Sequence, residues 1–459
     1  MRTAQSLGGS AILGAAAAVS FALFLPPNRP VTVQQIIPGF PSALTTMTMP
    51  QLRNNRWQLF AHLTTASNGQ PLATPMWETW STKCDLDLSP YCDSVKAAAA
   101  HTAFVGNSPQ IDTPDPTKTT EPQRFSVVYY SPAAANFIKN QGLNNAAQLQ
   151  QYLLNDLTAS PSALPILPNS FPEDSIIVKE IWEGFSATTA MAANEKVFVY
   201  DPADPNFQQD YVRDSTALKS VTDWPFVKIK NNNGVADESS HATCQPSYSP
   251  YSTVPINCFF HKHYRAPCQP DMMLPLPLLA SPGAPATACD VVLVGVQIMT
   301  KEDVSNWAWT TLWWTNEPEK ITSLSVNDAP VHLLPPQYSH YMMQTSLGPA
   351  GVHPDSPLYS PYLEGPRSNG TQIDCVACHA TARYDPVKAV PAGKPYQGHD
   401  TGQSLDGDGQ ELGNVTPCIL VTLPNQAPCK LYAGFVWSLA TSQDATTSQP
   451  LMLSIHNGP

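Results

Sequence analysis

Charge is scarce in this chain. Asp, Glu, Lys and Arg make up 13% of its 459 residues, and the balance is acidic: 24 basic against 36 acidic side chains, a net charge of −12. A chain so poor in cations has no basic face with which to neutralise phosphates, which excludes nucleic acid as a partner. Long apolar runs are absent beyond residue 25, which excludes a polytopic helical membrane protein. No internal repeat is visible, so solenoids and propellers are set aside. No Gly-rich phosphate loop, Gly-x-Ser-x-Gly elbow or His-Glu-x-x-His helix occurs, which removes the usual sequence grounds for nucleotide, serine-hydrolase or zinc-protease chemistry.

Proline is abundant, with 47 residues. Each removes a backbone donor and stops a helix or a central strand, so long loops joining short elements are expected. The expected class is α+β: a large, strand- and loop-rich scaffold. Trp57-Gln58-Leu59-Phe60 opens a helix running through His62 and Leu63, and the tryptophans of Pro75-Met76-Trp77-Glu78-Thr79-Trp80 read as core anchors. Residues 133–157 form the strongest helical stretch, interrupted at Gly142, with Asn144 capping a second helix. β-Branched and aromatic runs predict strands over 175–182 and 196–200. A hairpin is expected from Asp290–Met299 and Trp307–Thr315, joined by the polar residues between them. The four tryptophans of its second arm read first as sheet core and second as walls of a cofactor crevice.

Residues 1–27 read as an export segment. Arg2 precedes an apolar run from Ala11 to Leu25, which Pro26-Pro27 ends. The run suits a signal peptide, with an uncleaved N-terminal membrane anchor as the alternative. The rest divides into an α+β scaffold over 28–325, carrying a disulfide-rich insertion at about 231–289, and a C-terminal region over 326–459. Ten cysteines are present. In an exported chain, Cys84 with Cys92 and Cys418 with Cys429 close short loops. Cys244, Cys258, Cys268 and Cys289 pair among themselves in an order the sequence leaves open. His261 and His263 fall on one face of an extended segment, where a solvated loop outweighs a metal site. The acidic, Gly-rich run Leu405–Glu411 lacks the spacing of a calcium loop and reads as a turn.

The remaining two cysteines stand in Cys375-Val376-Ala377-Cys378-His379. Cys-x-x-Cys-His is the attachment signature of c-type haem. The two thiols add across the vinyl groups of the porphyrin, and the following imidazole reaches the iron as proximal ligand. A zinc site would want a second ligand pair at similar spacing, and none follows. The five residues resemble the c-type cytochromes. Taken with Trp57-Gln58-Leu59-Phe60, Trp77-Glu78-Thr79-Trp80, Val294-Gly295-Val296-Gln297-Ile298 and Asn306-Trp307-Ala308-Trp309-Thr310, they are similar to a group of large, exported, single-haem bacterial proteins. The resemblance runs through scattered motifs from about residue 55 to 440. It implies one covalent haem c and a periplasmic or extracellular place in a bacterium of the Gram-negative type.

The function then turns on what faces His379 across the iron. Methionine suits an electron carrier, histidine lowers the potential, and an open position admits small molecules. The candidates for a sixth ligand are Met452, His399, Met342 and Met343. The expected activity is one-electron transfer with a redox partner protein or a small-molecule donor or acceptor. Two alternatives stand beside it. One is a haem enzyme, peroxidase- or oxygenase-like, with an open sixth position and Arg383 or His399 on the distal side. The other is a secreted, haem-bearing structural or filament protein.

Overall fold

The structure is a computed structural model. It describes residues 47–65, 74–83, 85–86, 88, 123–145, 148–149, 151–152, 155, 170–186, 196–199, 225–229, 231–232, 235–236, 244–264, 289–301, 307–318, 334–347, 358, 360, 362, 383–384, 431–432, 443–444 and 449–450. Residues 375–379, and with them the whole Cys-x-x-Cys-His motif, lie outside the described residues, as do residues 1–27, His399, Leu405–Glu411 and Met452.

One seven-stranded antiparallel sheet dominates. Its strands are β1 (Ser81–Thr82), β2 (Gln123–Tyr130), β3 (Ile176–Ser186), β4 (His261–Tyr264), β5 (Cys289–Lys301), β6 (Trp307–Trp314) and β7 (Tyr341–Leu347). The spatial order is β1-β2-β3-β5-β6-β7, with β4 attached to β5. The sheet therefore takes strands from both sides of position 325. Two α-helices accompany it, α1 (Met49–Thr64) and α2 (Pro132–Asn140). The expected α+β class is thus corrected: the described residues are mostly β-sheet, and the helices are coverings on one sheet. The helical stretch expected over 133–157 shows why. α2 stops at Asn140, the chain turns through Gly142 at a positive φ of 62°, and a helical turn resumes with Asn145 as its cap, one residue beyond Asn144.

The expected hairpin is present, with Gly295 opposite Trp313 and Lys301 opposite Trp307. Its first arm is a nearly unbroken apolar run, as a strand buried on both faces requires, and every residue from Val291 to Lys301 is buried. β5 pairs along its whole length with β3. On its other side the partner changes: Cys289–Val292 pair with β4, and Gly295–Lys301 with β6. The changeover coincides with a bulge between Leu293 and Gly295, where Val294 is the extra residue. A Cβ at Gly295 would sit 2.8 Å from Ile181 Cδ1, so any larger residue there would force Ile181 to shift.

Strand pairing assigns the two faces. Val178, Glu180 and Trp182 share one face with Val127, Ile298, Val296, Leu312 and Met343. α1 covers this face. Its start is fixed by a capping box between Thr48 and Gln51, with Pro50 in the first turn. Its Arg56 donates to Thr300 Oγ1 at 2.8 Å, and its Phe60 lies against Trp77, Tyr338 and Tyr341. α2 belongs to the opposite face, where Phe137 lies tilted against Phe171 and Phe171 meets the Trp307 ring edge-on. Ser131 caps α2 and also accepts from the Ile176 amide, tying helix to strand.

A small sheet of Lys196–Phe198, Phe226–Ile229 and Thr253–Val254 adds Val197, Val227, Ile229 and Val254 to the core. Beside it, Cys244 and Cys258 form a disulfide, which resolves part of the open pairing. It closes a loop of 14 residues. Chain-entropy arguments put the stabilisation at about 3 kcal/mol for a loop near this length. Replacing both cysteines with Ala is therefore expected to lower the free energy of unfolding by about that amount. Urea titration of the variant against the parent chain checks it.

Candidate functional site

The sheet face under α1 should be apolar, yet β3 places a glutamate in it. Ile176, Val178, Glu180 and Trp182 alternate onto this face, and Glu180 is completely buried. A buried carboxylate needs donors for its oxygens. Trp77 Nε1 donates to Glu180 Oε1 at 2.6 Å, and Trp182 Nε1 donates to Glu180 Oε2 at 3.0 Å. Trp77 comes from the 3-10 turn Met76–Thr79, which follows Pro75.

The next residue of that turn, Glu78, completes the cluster. Its carboxyl faces that of Glu180 and lies 2.8 Å from Lys262 Nζ of β4. The ammonium of Lys262 also sits 4.8 Å from the centre of the Trp182 ring. Phe60, Phe260, Tyr338 and Tyr341 wall the space with rings 5.2 to 6.1 Å apart. Tyr341 donates its hydroxyl to the Leu293 carbonyl, next to the bulge. The Tyr338 hydroxyl is buried and meets no hydrogen-bond partner among the described residues.

Electrostatics follow from this packing. Burial, and then the facing Glu180, push the Glu78 carboxyl up to about 7, against the pull of Lys262. Burial likewise drives the Tyr338 and Tyr341 hydroxyls well above their ordinary range, with Glu180 adding to it in both. The site can therefore take up and release one proton near neutrality, at Glu78. Its outlet is on the Lys262 side, where the side chains of Lys262 and Glu78 retain 26% and 9% of their surface.

Sequence patterns alone single out none of Glu78, Glu180 and Lys262, the last standing between two histidines. The available signal was Glu180 itself. A charged residue in phase with Val178 and Trp182 must either break the strand or find buried partners.

The sixth-ligand candidates fare differently. Met342 and Met343 are adjacent on β7, so their side chains take opposite faces, and both are buried in the core. Met343, opposite Leu312, shares the Glu180 face, and Met342 lies opposite Trp313. Cys375, Cys378, His379, His399 and Met452 lie outside the described residues. Arg383 lies in a two-residue strand paired with Leu431–Tyr432. His261 and His263 are not in the expected solvated loop but in strand β4, paired with β5, and His261 Nδ1 contacts the Phe259 carbonyl at 3.1 Å. Among the described residues no three His, Cys, Asp or Glu side chains gather as a metal site would require. His340 is committed to structure: it lies against Trp314, with its two ring nitrogens on the Thr315 and Gln245 carbonyls. No described helix is long and apolar enough to cross a membrane. No protein-family model, no curated protein and no solved structure matches the chain.

Proposed function

We propose that the chain is an exported, mono-haem c-type cytochrome that transfers single electrons through iron held by His379. The observation that carries this reading is Cys375-Val376-Ala377-Cys378-His379. Two thiols separated by two residues and followed at once by an imidazole are the donor set that covalent haem requires. Cys375 and Cys378 would tether the cofactor as thioethers, and His379 would hold the iron from one side. When bound, the group supplies a one-electron couple whose potential depends on the opposite ligand and on burial. Met452, His399, Met342 and Met343 remain the candidates for that ligand. A redox partner protein or a small molecule would supply and remove the electron.

Two further observations support the reading. The Cys244–Cys258 disulfide suits an oxidising compartment, as the export of residues 1–27 would provide. The mainly β scaffold is rich in buried indole and phenol rings, including Trp57, Trp182, Trp313 and Trp314, which suits a protein that must keep water from a redox centre.

The test is the optical spectrum of the protein purified from a host that attaches haem covalently. We expect a c-type spectrum in the reduced state, and haem that stays with the polypeptide through denaturing electrophoresis. Both should vanish when Cys375 and Cys378 are replaced with Ala. A spectrum unmoved by carbon monoxide supports a carrier with a closed sixth position. A shift with carbon monoxide would turn the reading to the haem enzyme. Absence of covalent haem in the parent chain would overturn it.

A further inference from the structure

We propose that Glu78, Glu180 and Lys262 form a proton-operated latch that fastens the turn Met76–Thr79 to the sheet, closed when Glu78 is protonated and loosened when it is not. The latch does not rest on the haem reading.

The argument starts from what faces Glu78. β3 presents Glu180, β4 presents Lys262, and Tyr338 and Tyr341 close the space from the turn Pro336–Tyr338 and from β7. α1 presents Phe60, and its buried cation Arg56 donates instead to Thr300. β2 brings Val127 and Tyr129 onto this face. The cluster therefore holds two carboxyl groups and one ammonium. With Glu78 protonated, one carboxylate and one ammonium balance, and the Glu78 hydroxyl can donate to Glu180. Loss of that proton to solvent leaves two facing carboxylates against one cation, a net charge of −1 in a space walled by aromatic rings. Like charges so close in a poorly hydrated site repel strongly.

The strain falls on the weakest element. Glu180 is in the middle of β3, paired on both sides, and cannot retreat. Glu78 belongs to a four-residue 3-10 turn, whose ties to the sheet include the Trp77 donation to Glu180 and the 2.8 Å contact between Glu78 and Lys262. Opening the turn lets water reach both carboxylates and withdraws Trp77 from the core. The pH direction follows from the raised proton affinity. Glu78 titrates at about 7 in the folded chain against 4.5 for the free group. The stabilisation from the protonated latch is thus fully present below the lower value, weakens as pH rises between the two, and is lost above the upper one.

Hydrogen exchange of the parent chain and of Glu78→Gln, followed by mass spectrometry at about pH 6 and about pH 8, tests this. After correction for intrinsic chemical exchange, amides of residues 76–80 in the parent should exchange about tenfold faster at the higher pH, while those of 307–314 hold their rate. Glu78→Gln keeps a neutral donor toward Glu180 and should remain slow at both values. Lys262→Met removes the cation that favours ionised Glu78, so its transition should move to lower proton concentration or not open at all below pH 8. Should Glu78→Gln fail to fold, the parent and Lys262→Met profiles decide. A parent with no pH-dependent acceleration overturns the latch, as does a Glu78→Gln or Lys262→Met variant that keeps the parent's profile.

Discussion

Replacing Glu180 with Ala is expected to destabilise the protein by about 3–5 kcal/mol, the range for removing one partner of a buried ionic group. Glu180 is the acceptor for two buried indole donors and faces the carboxyl of Glu78. Truncation leaves the Trp77 and Trp182 N–H groups without their acceptor and opens a cavity in the middle of β3. Each stranded donor alone costs about 1–3 kcal/mol. Relief of repulsion on Glu78 offsets part of the loss. Glu180→Gln sharpens the test, because a carboxamide keeps the volume but has one acceptor oxygen where two indoles ask for two. It should fall between the parent and Glu180→Ala. Urea denaturation at about pH 6, below the value near which Glu78 titrates, measures all three. A loss below about 1 kcal/mol for Glu180→Ala would mean that the indoles find other acceptors and that the cluster is not built around this residue.

Trp314→Ala is expected to cost a similar amount, about 3–5 kcal/mol, through a different cause. Trp314 is completely buried at the end of β6. Its ring stacks on Phe259 at 4.1 Å between centroids and on His340 at 5.4 Å. Its Nε1 donates to the Cys258 carbonyl at 3.1 Å, so the indole joins the hairpin to the disulfide-bonded segment. Alanine removes the largest side chain of this contact, leaves a cavity, and strands the carbonyl. Trp314→Phe retains much of the ring area and should cost less than half as much. The comparison separates lost area from the lost hydrogen bond. Equal losses in the two variants would assign the whole effect to the indole N–H.

How much of this was legible beforehand depended on how local the determinants are. The β5–β6 hairpin could be read because two apolar runs and a polar connection lie together in sequence. The strand at 176–186 was legible from its β-branched residues. The start of α1 at Met49 was missed, although Thr48 and Gln51 have the spacing of a capping box, because Pro50 and the polar residues after it mask any apolar stripe until Trp57. The class was misread because helix-forming composition between 133 and 157 says nothing about where the turn at Gly142 sends the chain. The Glu78–Glu180–Lys262 cluster was invisible for a stronger reason. Its members come from three elements separated by long stretches, and only strand register brings them together. By contrast the Cys375–His379 signature is five consecutive residues, so it can be read from the sequence without any long-range contact.

The pairing pattern of β5 also dictates an order of assembly. Closing β5 on β6 requires only the short connection between Lys301 and Trp307, whereas laying β5 against β3 must draw in residues 187–288. Loop-closure entropy rises with the length enclosed, so the hairpin is expected to gather first and β3 to dock afterwards. The bulge at Val294 then acts as a divider in time as well as in space. The half of β5 beyond it is already paired with β6 when β3 arrives, and the half before it waits for β3 and β4 to complete its ladder. The face that receives Glu180 is thus built late, onto a scaffold that already has its shape.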